Sequence, residues 1–436
     1  MEEKKKISVE PYRGTRDFYP EDMAVRNYLF AIMSSAVERY GYVQYDAPLL
    51  EETALYKAKS GEEIVNDQTY SFLDRGGRDV TIRPEMTPSV ARMVARRRKE
   101  LTFPLRWYSI PNLFRYERPQ RGRVREHWQL NVDLFGVDSV GADIEIVSVA
   151  HNIMREFGAK EENFQIKVND RRITNFLLDT YLGVDKESSY KLSKLIDRKL
   201  KMKEEDFVGQ AREELGEKIN LFVEFLNNAD INNLPEEFAE NEGVLALKKL
   251  LKDLNEIGIS NISYDPIIMR GFDYYTGMVF ELFDTGPENN RALFGGGRYD
   301  DLVNLFDVEK VSGVGFGMGD VTIKDYLETY DLLPKDLKSN TDLYVCVYSS
   351  EYKKEADILA HYLRGKGVNV VVDLTDRKIS AQIKTADKEK IPFIVCVGEE
   401  EATKRRYKLK DLSKHEEREM DQDEIVEVIR KNKKER

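Results

Sequence analysis

The most reactive side chains of this 436-residue sequence lie in three short segments. In the first, Arg83–Pro88, Glu85 and Thr87 stand just ahead of a predicted helix. A carboxylate and a hydroxyl at such a place can bind the ammonium group of a ligand. The alternative is that Thr87 only caps the helix and that Glu85 is a solvated acid of its first turn.

The second segment is rich in arginine. Eleven basic and two acidic residues occur between Arg92 and Arg125, which gives a local excess of nine positive charges. The planar guanidinium group binds two oxygens at once, so this cluster suits phosphate groups. Arg115 and Glu117 are two residues apart, and this spacing predicts an ordered pair on one strand face. The alternative is a solvated basic surface.

The third segment, Met269–Glu281, contains the adjacent residues Tyr274 and Tyr275. Successive side chains of a strand point to opposite faces, so one ring can pack while the other offers its hydroxyl to a ligand. Gly271 and Gly277 permit close approach of the backbone. The alternative is an ordinary aromatic strand with turn glycines.

Other motifs narrow the chemistry. Glycine clusters at 294–301 and 313–319 could bring the backbone close to a nucleotide, although neither fits a dinucleotide fingerprint. The sequence has no P-loop, H-E-x-x-H or G-x-S-x-G motif. Four histidines and two cysteines leave no cysteine-ligated zinc site and fit a reducing cytoplasm. Arginine, glutamate, tyrosine and glycine remain, and they suit electrostatic stabilisation of phosphoryl or adenylyl transfer.

Regular patterns predict the elements that hold these segments. Apolar residues at spacings of three and four predict a helix over 20–40, and a second helix begins near Thr87 with Thr87 as its cap. Alternation over 105–137 predicts a half-buried antiparallel hairpin with a turn at 119–122. One face of its second strand carries a polar row, which is either solvated or the floor of a site: His127, Gln129, Asn131 and Asp133.

The length suggests about three domains. Residues 1–169 and 262–330 are assigned to the first domain, and 170–261, with lysine, glutamate and leucine at helical spacing, to a helical insertion within it. Residues 331–341 are assigned to a linker. Strands that alternate with helices over 342–436 predict a separate α/β domain with a parallel sheet.

The net charge of −11 does not favour nucleic acid, so such a role must come from a local basic patch. No apolar stretch is long enough to span a bilayer. No secretory signal follows the charged first residues. The sequence therefore predicts a cytoplasmic protein without a membrane segment.

The order of the motifs resembles the histidyl-tRNA synthetase family of class II aminoacyl-tRNA synthetases. Arg13–Pro20 opens the likeness, Tyr40–Pro48 is similar to the dimer-interface motif, and the hairpin 114–129 is similar to the ATP-binding motif. Arg270–Tyr275 is similar to the histidine-specific signature, and the last domain to an anticodon-binding domain. The resemblance implies an α+β catalytic domain with a six- to seven-stranded antiparallel sheet, in a homodimer.

The resemblance also implies an activity, which is the joining of L-histidine to the histidine tRNA through histidyl-adenylate, with ATP and Mg²⁺. Histidine would be bound by Glu85, Thr87, Gln129, Asp133, Tyr274 and Tyr275. ATP would be bound by Arg115, Glu117, Arg123 and Arg270. Of these, Arg115 and Arg270 would be catalytic at the α-phosphate. Arg118 and Gln120, at the hairpin tip, would face the acceptor end of the tRNA, and no side chain is implied as a metal ligand.

Two positions depart from the family pattern. Asp133 stands where many members have glutamate, and the side chain that is shorter by one methylene is expected to shift a contact. The class has an adenine-stacking arginine after its third motif, whereas this chain has Asp320 and Val321 there. Lys324, one helical turn further on, is the candidate substitute.

A non-catalytic paralogue is the alternative function. One form is a regulatory subunit of ATP phosphoribosyltransferase, which typically lacks the histidine signature and the anticodon domain that this chain has. The other is an RNA-binding translational-control module, which only the missing arginine favours. Histidine-dependent ATP–pyrophosphate exchange separates both from a synthetase.

Overall fold

The computed structural model describes five ranges of the chain: 7–57, 68–270, 273–287, 292–335 and 339–434. Contacts divide the chain into two compact units, Met1–Leu333 and Pro334–Arg436. Gly271 of the predicted signature and residues 336–338 of the predicted linker lie outside the described ranges. Among the described helices, none combines the length and the apolar character needed to cross a membrane.

The first unit is built on a large and a small sheet. Its strands are β1 (Val43–Gln44), β2 (Leu50–Glu52), β3 (Tyr70–Leu73), β4 (Asp79–Ile82), β5 (Leu105–Ser109), β6 (Asn112–Phe114), β7 (Glu126–Phe135), β8 (Phe164–Asp170), β9 (Ile262–Tyr264), β10 (Met278–Asp284), β11 (Ala292–Arg298) and β12 (Gly313–Gly319). The large sheet has the order β1-β5-β7-β12-β11-β10-β8-β9, with β6 paired to β7 beside this path. From β5 to β8 all neighbours are antiparallel, which confirms the predicted antiparallel sheet. The edge strands are parallel to their neighbours, since β1 pairs with β5 and β9 pairs with β8. The small sheet has the order β2-β4-β3.

Helices surround these sheets. They are Pro20–Glu38, Ala54–Lys57, Thr87–Arg97, Val140–Glu156, Arg171–Asn175, Lys186–Arg198, Glu204–Leu215, Ile219–Asn227, Glu242–Glu256 and Asp320–Thr329, with a π-helical turn at Phe176–Tyr181. The first of them confirms the helix predicted over 20–40. The prediction that Thr87 caps the second helix is wrong, because Met86 already has near-helical angles (φ −105°, ψ −26°) and Thr87 is the first helical residue. The Thr87 side chain forms a hydrogen bond with Tyr274 instead of capping the helix.

The helices between residues 170 and 261 share one apolar core with the large sheet. Leu195, Phe222 and Leu250 from these helices belong to the same buried cluster as Ile166 of β8 and Phe280 of β10. Each fully buried side chain of this kind stabilises the fold by about 1.5–3 kcal/mol. The segment predicted as an insertion is therefore tied to the sheet through its core.

The second unit has a mixed sheet. Its strands are β13 (Leu343–Val347), β14 (Val370–Val372), β15 (Phe393–Val397), β16 (Tyr407–Asp411) and β17 (Glu416–Met420), in the order β14-β13-β15-β16-β17. Its helices are Lys353–Gly365, Ile379–Lys388, Glu399–Lys404 and Gln422–Lys434. The first three strands are parallel as predicted, but β16 and β17 are antiparallel, so the prediction of a parallel sheet is wrong for them. The mostly exposed β17 lacks the apolar run by which a buried strand is found.

Candidate active site

The arginine-rich segment forms the end of a hairpin in the large sheet. Strand β6 pairs with the first half of β7, and β5 pairs with the second half. Residues 115–125 connect β6 to β7, and the backbones of Gln120 and Arg123 exchange hydrogen bonds of 2.9 and 3.0 Å across the turn. Gly122 adopts φ +74°, a left-handed conformation that favours glycine. The predicted hairpin and its turn are thus confirmed.

The polar row on β7 is a floor rather than a solvated face. Asn131 is 4% exposed and Asp133 is 3% exposed, which selects the floor of a site from the two alternatives that the sequence left open for this row. The prediction of a half-buried hairpin is therefore wrong for this part of β7. The reason is tertiary, because the side chains of Tyr45 and Tyr299, from other segments of the chain, lie against Asp133 on this face.

A cavity of about 1000 Å³ opens beside this floor. It brings together residues that the sequence placed in different motifs: Arg115, Glu117, Gln120, Arg123, Gln129 and Arg270. Gly317 and Gly319 of β12 also line it. A Cβ atom at Gly317 would lie 2.8 Å from Cδ of Gln129, so the glycine makes room for that amide.

The charges on the hairpin side of the cavity are ordered. Arg115 donates through Nε to the carbonyl oxygen of Pro84 at 2.9 Å, which fixes its guanidinium next to the first motif. Glu117 forms its ion pair with Arg123, at 3.6 Å from Nη1. This ion pair of Glu117 is with Arg123 and is not the predicted pair with Arg115.

Arg270 enters the same cavity from the other motif. It has a left-handed backbone conformation (φ +60°), which is uncommon for a residue with a side chain and concentrates at functional sites. Its Nη1 is 2.8 Å from Oε1 of Glu281, and its Nη2 donates to the carbonyl oxygen of Gly295 at 3.2 Å. Burial by itself would lower the pKa of Arg270, but Tyr275 and Glu281 raise it overall, so the guanidinium stays charged.

The two tyrosines of the signature are packed together in the interior. Tyr274 is 3% exposed and Tyr275 is 7% exposed, and their ring centroids are 4.9 Å apart. The prediction that they point to opposite sides of a strand is wrong, because they lie ahead of β10 in a non-strand segment. The hydroxyl of Tyr274 donates to Glu85 at 3.0 Å, and Glu85 is itself only 2% exposed. Glu85 is therefore a buried acid of the site and not a solvated one.

Asp133 lies at the same buried cluster. The hydroxyl of Tyr299 donates to its Oδ1, and the hydroxyl of Tyr45 donates to its Oδ2 at 3.2 Å. Burial raises the pKa of Asp133 to about 6, and the two hydrogen bonds oppose that rise. Tyr45 lies in the segment 40–48 and Tyr299 in the glycine cluster 294–301, but no local pattern links either tyrosine to Asp133.

His127 is a further cavity residue whose importance the sequence did not indicate. It belongs to the polar row of β7 and lines the cavity beside Arg115. Burial and the positive charges of Arg115 and Arg16 lower its pKa to about 3. His127 is therefore a neutral imidazole at physiological pH and a poor proton acceptor.

The segment after β12 does not use Lys324 in the cavity. Asp320 accepts hydrogen bonds from Arg16 at 2.9 Å and from the backbone amide of Trp128 at 3.0 Å, which joins this helix start to β7. Lys324 pairs with Glu328 on its own helix, and it is outside the set of described residues that line the cavity.

Arg121, unlike Lys324, places a positive charge at the cavity near the helix Asp320–Thr329. Its Nε and Nη2 atoms lie 3.0–3.2 Å from the carboxylate of Asp325, and both residues line the cavity together with Val321. A guanidinium fork bound at two points is well ordered even where it is exposed. This contact joins the hairpin tip to the helix Asp320–Thr329.

Comparisons with known proteins agree with one another. Residues 14–321 match the family described as "Histidyl-tRNA synthetase", and residues 342–432 match the "Anticodon binding domain". The chain is 44% identical to the "Histidine--tRNA ligase" of Leptospira biflexa, over 94% of each chain. It is 37% identical to the protein of the same name from Thermoplasma volcanium, over 98% of this chain and 99% of the relative. In fold it is similar to histidyl-tRNA synthetase from Nostoc sp. PCC 7120, with a TM-score of 0.80 at 24% identity, over 98% of this chain and 100% of the other.

Proposed function

The chain belongs to the histidyl-tRNA synthetase family, and on that premise we propose how its residues carry out the reaction. The chain is a histidine–tRNA ligase, which activates L-histidine with ATP to histidyl-adenylate and then transfers the histidine to the 3′ end of its tRNA. This function is preferred to the non-catalytic alternatives, because relatives named histidine–tRNA ligase cover nearly the whole chain.

One observation supports the assignment of the reaction centre above all others. Arg115 and Arg270 come from motifs more than a hundred residues apart in sequence, and both line the same cavity. Two ordered guanidinium groups around one phosphorus would stabilise the negative charge of a displacement at that atom. We therefore assign Arg115 and Arg270 as the catalytic residues at the α-phosphate of ATP.

We assign histidine to the buried polar cluster beside the cavity. Its amino group would bind Glu85 and Thr87, and its carboxylate end would bind Gln129, which lines the cavity. Asp133 and Tyr275 would hold the two imidazole nitrogens, with Tyr274 next to them. A pocket with a polar partner for each nitrogen disfavours similar side chains, because these would leave buried polar groups unpaired.

We assign ATP to the 1000 Å³ cavity. Glu117 would lie near the adenine and Arg123 near the outer phosphates. When bound, Mg²⁺ neutralises charge on those phosphates. It usually takes only one or two protein carboxylates, and Glu117 and Glu281 both line the cavity.

The proposed reaction has two steps. A carboxylate oxygen of histidine attacks the α-phosphorus, the bond from this atom to the bridging oxygen breaks, and pyrophosphate leaves. The terminal adenosine hydroxyl of the tRNA then attacks the histidyl carbonyl carbon, and AMP leaves. We propose that the hydroxyl proton passes to a phosphate oxygen of the adenylate and leaves with the AMP.

We propose that Arg118 and Gln120 contact the acceptor end of the tRNA. Both are exposed residues of the loop between β6 and β7, and Gln120 also lines the cavity. The local excess of positive charge in this part of the sequence would attract RNA phosphates in a chain whose net charge is −11.

The remaining assignments concern assembly and compartment. We propose a homodimer, because the segment that resembles the dimer-interface motif and the small sheet expose Val43 (63%), Leu50 (47%) and Leu73 (71%). We propose a cytoplasmic location, because a chain of this length with only two cysteines has no disulfide scaffold of the kind common in secreted domains.

The domain boundaries of the sequence analysis are also kept as proposals. Residues 1–169 and 262–330 would form the catalytic domain, and 170–261 the helical insertion. Residues 331–341 would form the linker, and 342–436 the anticodon-binding domain.

ATP–pyrophosphate exchange with the purified chain tests this function. We expect exchange that requires L-histidine and that other amino acids do not support. Binding of tRNA without any exchange would contradict the catalytic function and support a translational-control module.

A further inference from the structure

The carboxylate of Asp133 is held by two tyrosines to which no ligand has been assigned. Tyr299 donates to Oδ1, and Tyr45 donates to Oδ2 at 3.2 Å, while Asp133 itself is 3% exposed. Each carboxylate oxygen has two lone pairs and therefore keeps an acceptor position for a ligand N–H. The two phenols can thus orient the carboxylate without occupying all of its acceptor capacity.

The position of Tyr299 depends on two glycines of β12. A Cβ atom at Gly315 would lie 2.7 Å from the Tyr299 hydroxyl and 2.9 Å from Oδ1 of Asp133. A Cβ atom at Gly313 would lie 2.5 Å from the Tyr299 ring. These distances are too short for real contacts, so the glycines make the approach of Tyr299 to Asp133 possible.

The position of Tyr45 is set by β5. Its backbone amide donates to the carbonyl oxygen of Tyr108 at 2.8 Å, directly after the parallel pairing of β1 with β5. Its ring centroid lies 5.7 Å from that of Trp107, the residue that pairs with Asp133 across β5 and β7. Tyr45 therefore reaches Asp133 from a fixed backbone position rather than from a loose loop.

The same network reaches the tyrosines of the histidine signature. The Tyr299 ring is 5.8 Å from Tyr274 and 6.4 Å from Tyr275, measured between centroids. Tyr299 therefore contacts both Asp133 and the two tyrosines of the signature. A shift of the carboxylate would change this subsite directly.

We propose that Tyr45 is a positioning residue for histidine recognition, which together with Tyr299 fixes the plane of the Asp133 carboxylate that receives the imidazole N–H. The proposal rests on the assignment of Asp133 to the histidine subsite. It adds a contribution to specificity from Tyr45, which follows β1 and is not among the residues assigned to histidine above.

Loss of the Tyr45 hydroxyl has a pH-dependent consequence. Burial raises the pKa of Asp133 to about 6, and the hydrogen bonds from Tyr299 and Tyr45 oppose this rise. The neighbouring segments present three phenols and two uncharged register partners to the carboxylate: Tyr42, Tyr45, Tyr299, Trp107 and Gly315. Without the Tyr45 hydroxyl, Asp133 keeps its proton to a higher pH. As the solution is acidified, the loss of histidine binding therefore begins at a higher pH than in the unmodified chain.

The test is the variant Tyr45→Phe, assayed by histidine-dependent ATP–pyrophosphate exchange between about pH 6 and pH 8. We expect KM for histidine to rise about three- to tenfold at the acidic end, with a smaller change at the alkaline end. KM for ATP should stay as in the unmodified chain. In an Asp133→Asn background, Tyr45→Phe should have no additional effect on KM for histidine.

Tyr344→Phe is the matched control. It removes a hydrogen bond of the same kind, from a buried phenol to the carboxylate of Asp373 at 2.6 Å, in the second unit. We expect it to leave the pH profile of KM for histidine unchanged.

An unchanged profile in Tyr45→Phe would overturn the proposal, as would an equal effect of Tyr45→Phe in the Asp133→Asn background. If Asp133→Asn alone leaves KM for histidine unaltered, the assignment of Asp133 fails as well. The two failures are therefore distinguishable.

Discussion

The hydroxyl of Tyr274 lies 3.0 Å from Oε2 of Glu85, a residue 189 positions away in sequence. Both side chains are buried, and the contact joins the first motif to the histidine signature. A carboxylate that has one phenol donor can still accept an ammonium group at its remaining lone pairs. Two motifs that are separate in sequence therefore meet in one buried contact, as their proposed role in a single histidine subsite requires.

Tyr274→Phe should weaken histidine binding. It removes the donor to Glu85, so we expect KM for histidine to rise in pyrophosphate exchange and the free energy of unfolding to fall by about 1–2 kcal/mol. KM for ATP should not change. Tyr330→Phe is the control, because it removes a 2.6 Å hydrogen bond to Asp284 away from these residues. A rise in KM for ATP that equals the rise for histidine would contradict the assignment.

Arg270→Lys should reduce the rate of adenylate formation. Lysine keeps the charge but loses the planar fork that binds Glu281 and the Gly295 carbonyl together, so we expect kcat for exchange to fall about 10²- to 10³-fold. Circular dichroism should show the fold retained. Arg106→Lys, at a guanidinium that contacts Glu145 with two 2.7 Å bonds, should leave exchange near normal. Full exchange activity in Arg270→Lys is the result that would remove Arg270 from the reaction centre.

Arg121→Ala should raise KM for ATP, whereas Lys324→Ala should not. Arg121 is held on Asp325 at the cavity, while Lys324 pairs with Glu328 on its own helix. The loss of one ordered cation beside a nucleotide corresponds to an increase in KM of about three- to tenfold. Steady-state exchange at varied ATP measures both variants. The opposite result, in which Lys324→Ala raises KM for ATP and Arg121→Ala does not, would support Lys324 as the substitute for the missing arginine.

His127 should make the first unit less stable in mild acid. Its folded-state pKa of about 3 lies below the unfolded value, so between pH 6.5 and 3 the unfolded chain binds a proton that the folded chain does not. Because of this difference, the contribution of His127 to the free energy of unfolding is highest above pH 6.5. It falls as the pH is lowered, by about 1 kcal/mol near pH 5.5. His127→Asn should flatten that dependence.

Urea unfolding followed by tryptophan fluorescence measures this effect. Both tryptophans of the chain, Trp107 and Trp128, belong to the first unit, so the signal reports that unit. His361→Asn, on an exposed position of the second unit, should leave the pH dependence as it was. An identical pH dependence in His127→Asn and in the unmodified chain would show that His127 is not the group responsible.

The hairpin could be predicted because its signal is local. Alternation of polar and apolar residues along β7 and the turn at Gly122 depend on neighbouring residues only. The arginines of this segment also follow from composition. The burial of the polar face of β7 at Asp133 could not be predicted, because it depends on Tyr45 and Tyr299, which lie 88 and 166 positions away in sequence.

The sequence predictions were wrong or incomplete where contacts between distant segments determine the position of a side chain. Tyr274 and Tyr275 were expected on opposite strand faces, but they precede the strand and pack on each other. The glycines at 313 and 315 were considered for a nucleotide, but they make room for the Tyr299 side chain. In both cases the deciding neighbour comes from a different segment of the chain.

The sequence by itself determined the elements, the three reactive segments and the resemblance that the comparisons confirmed, because period, charge and motif order are properties of neighbouring residues. Only the tertiary structure decided which side chains complete the site. Tyr45 and Tyr299 reach Asp133 from 88 and 166 positions away. These contacts exist because the strand order places β1, β5, β7, β12 and β11 side by side, and no local pattern encodes that order.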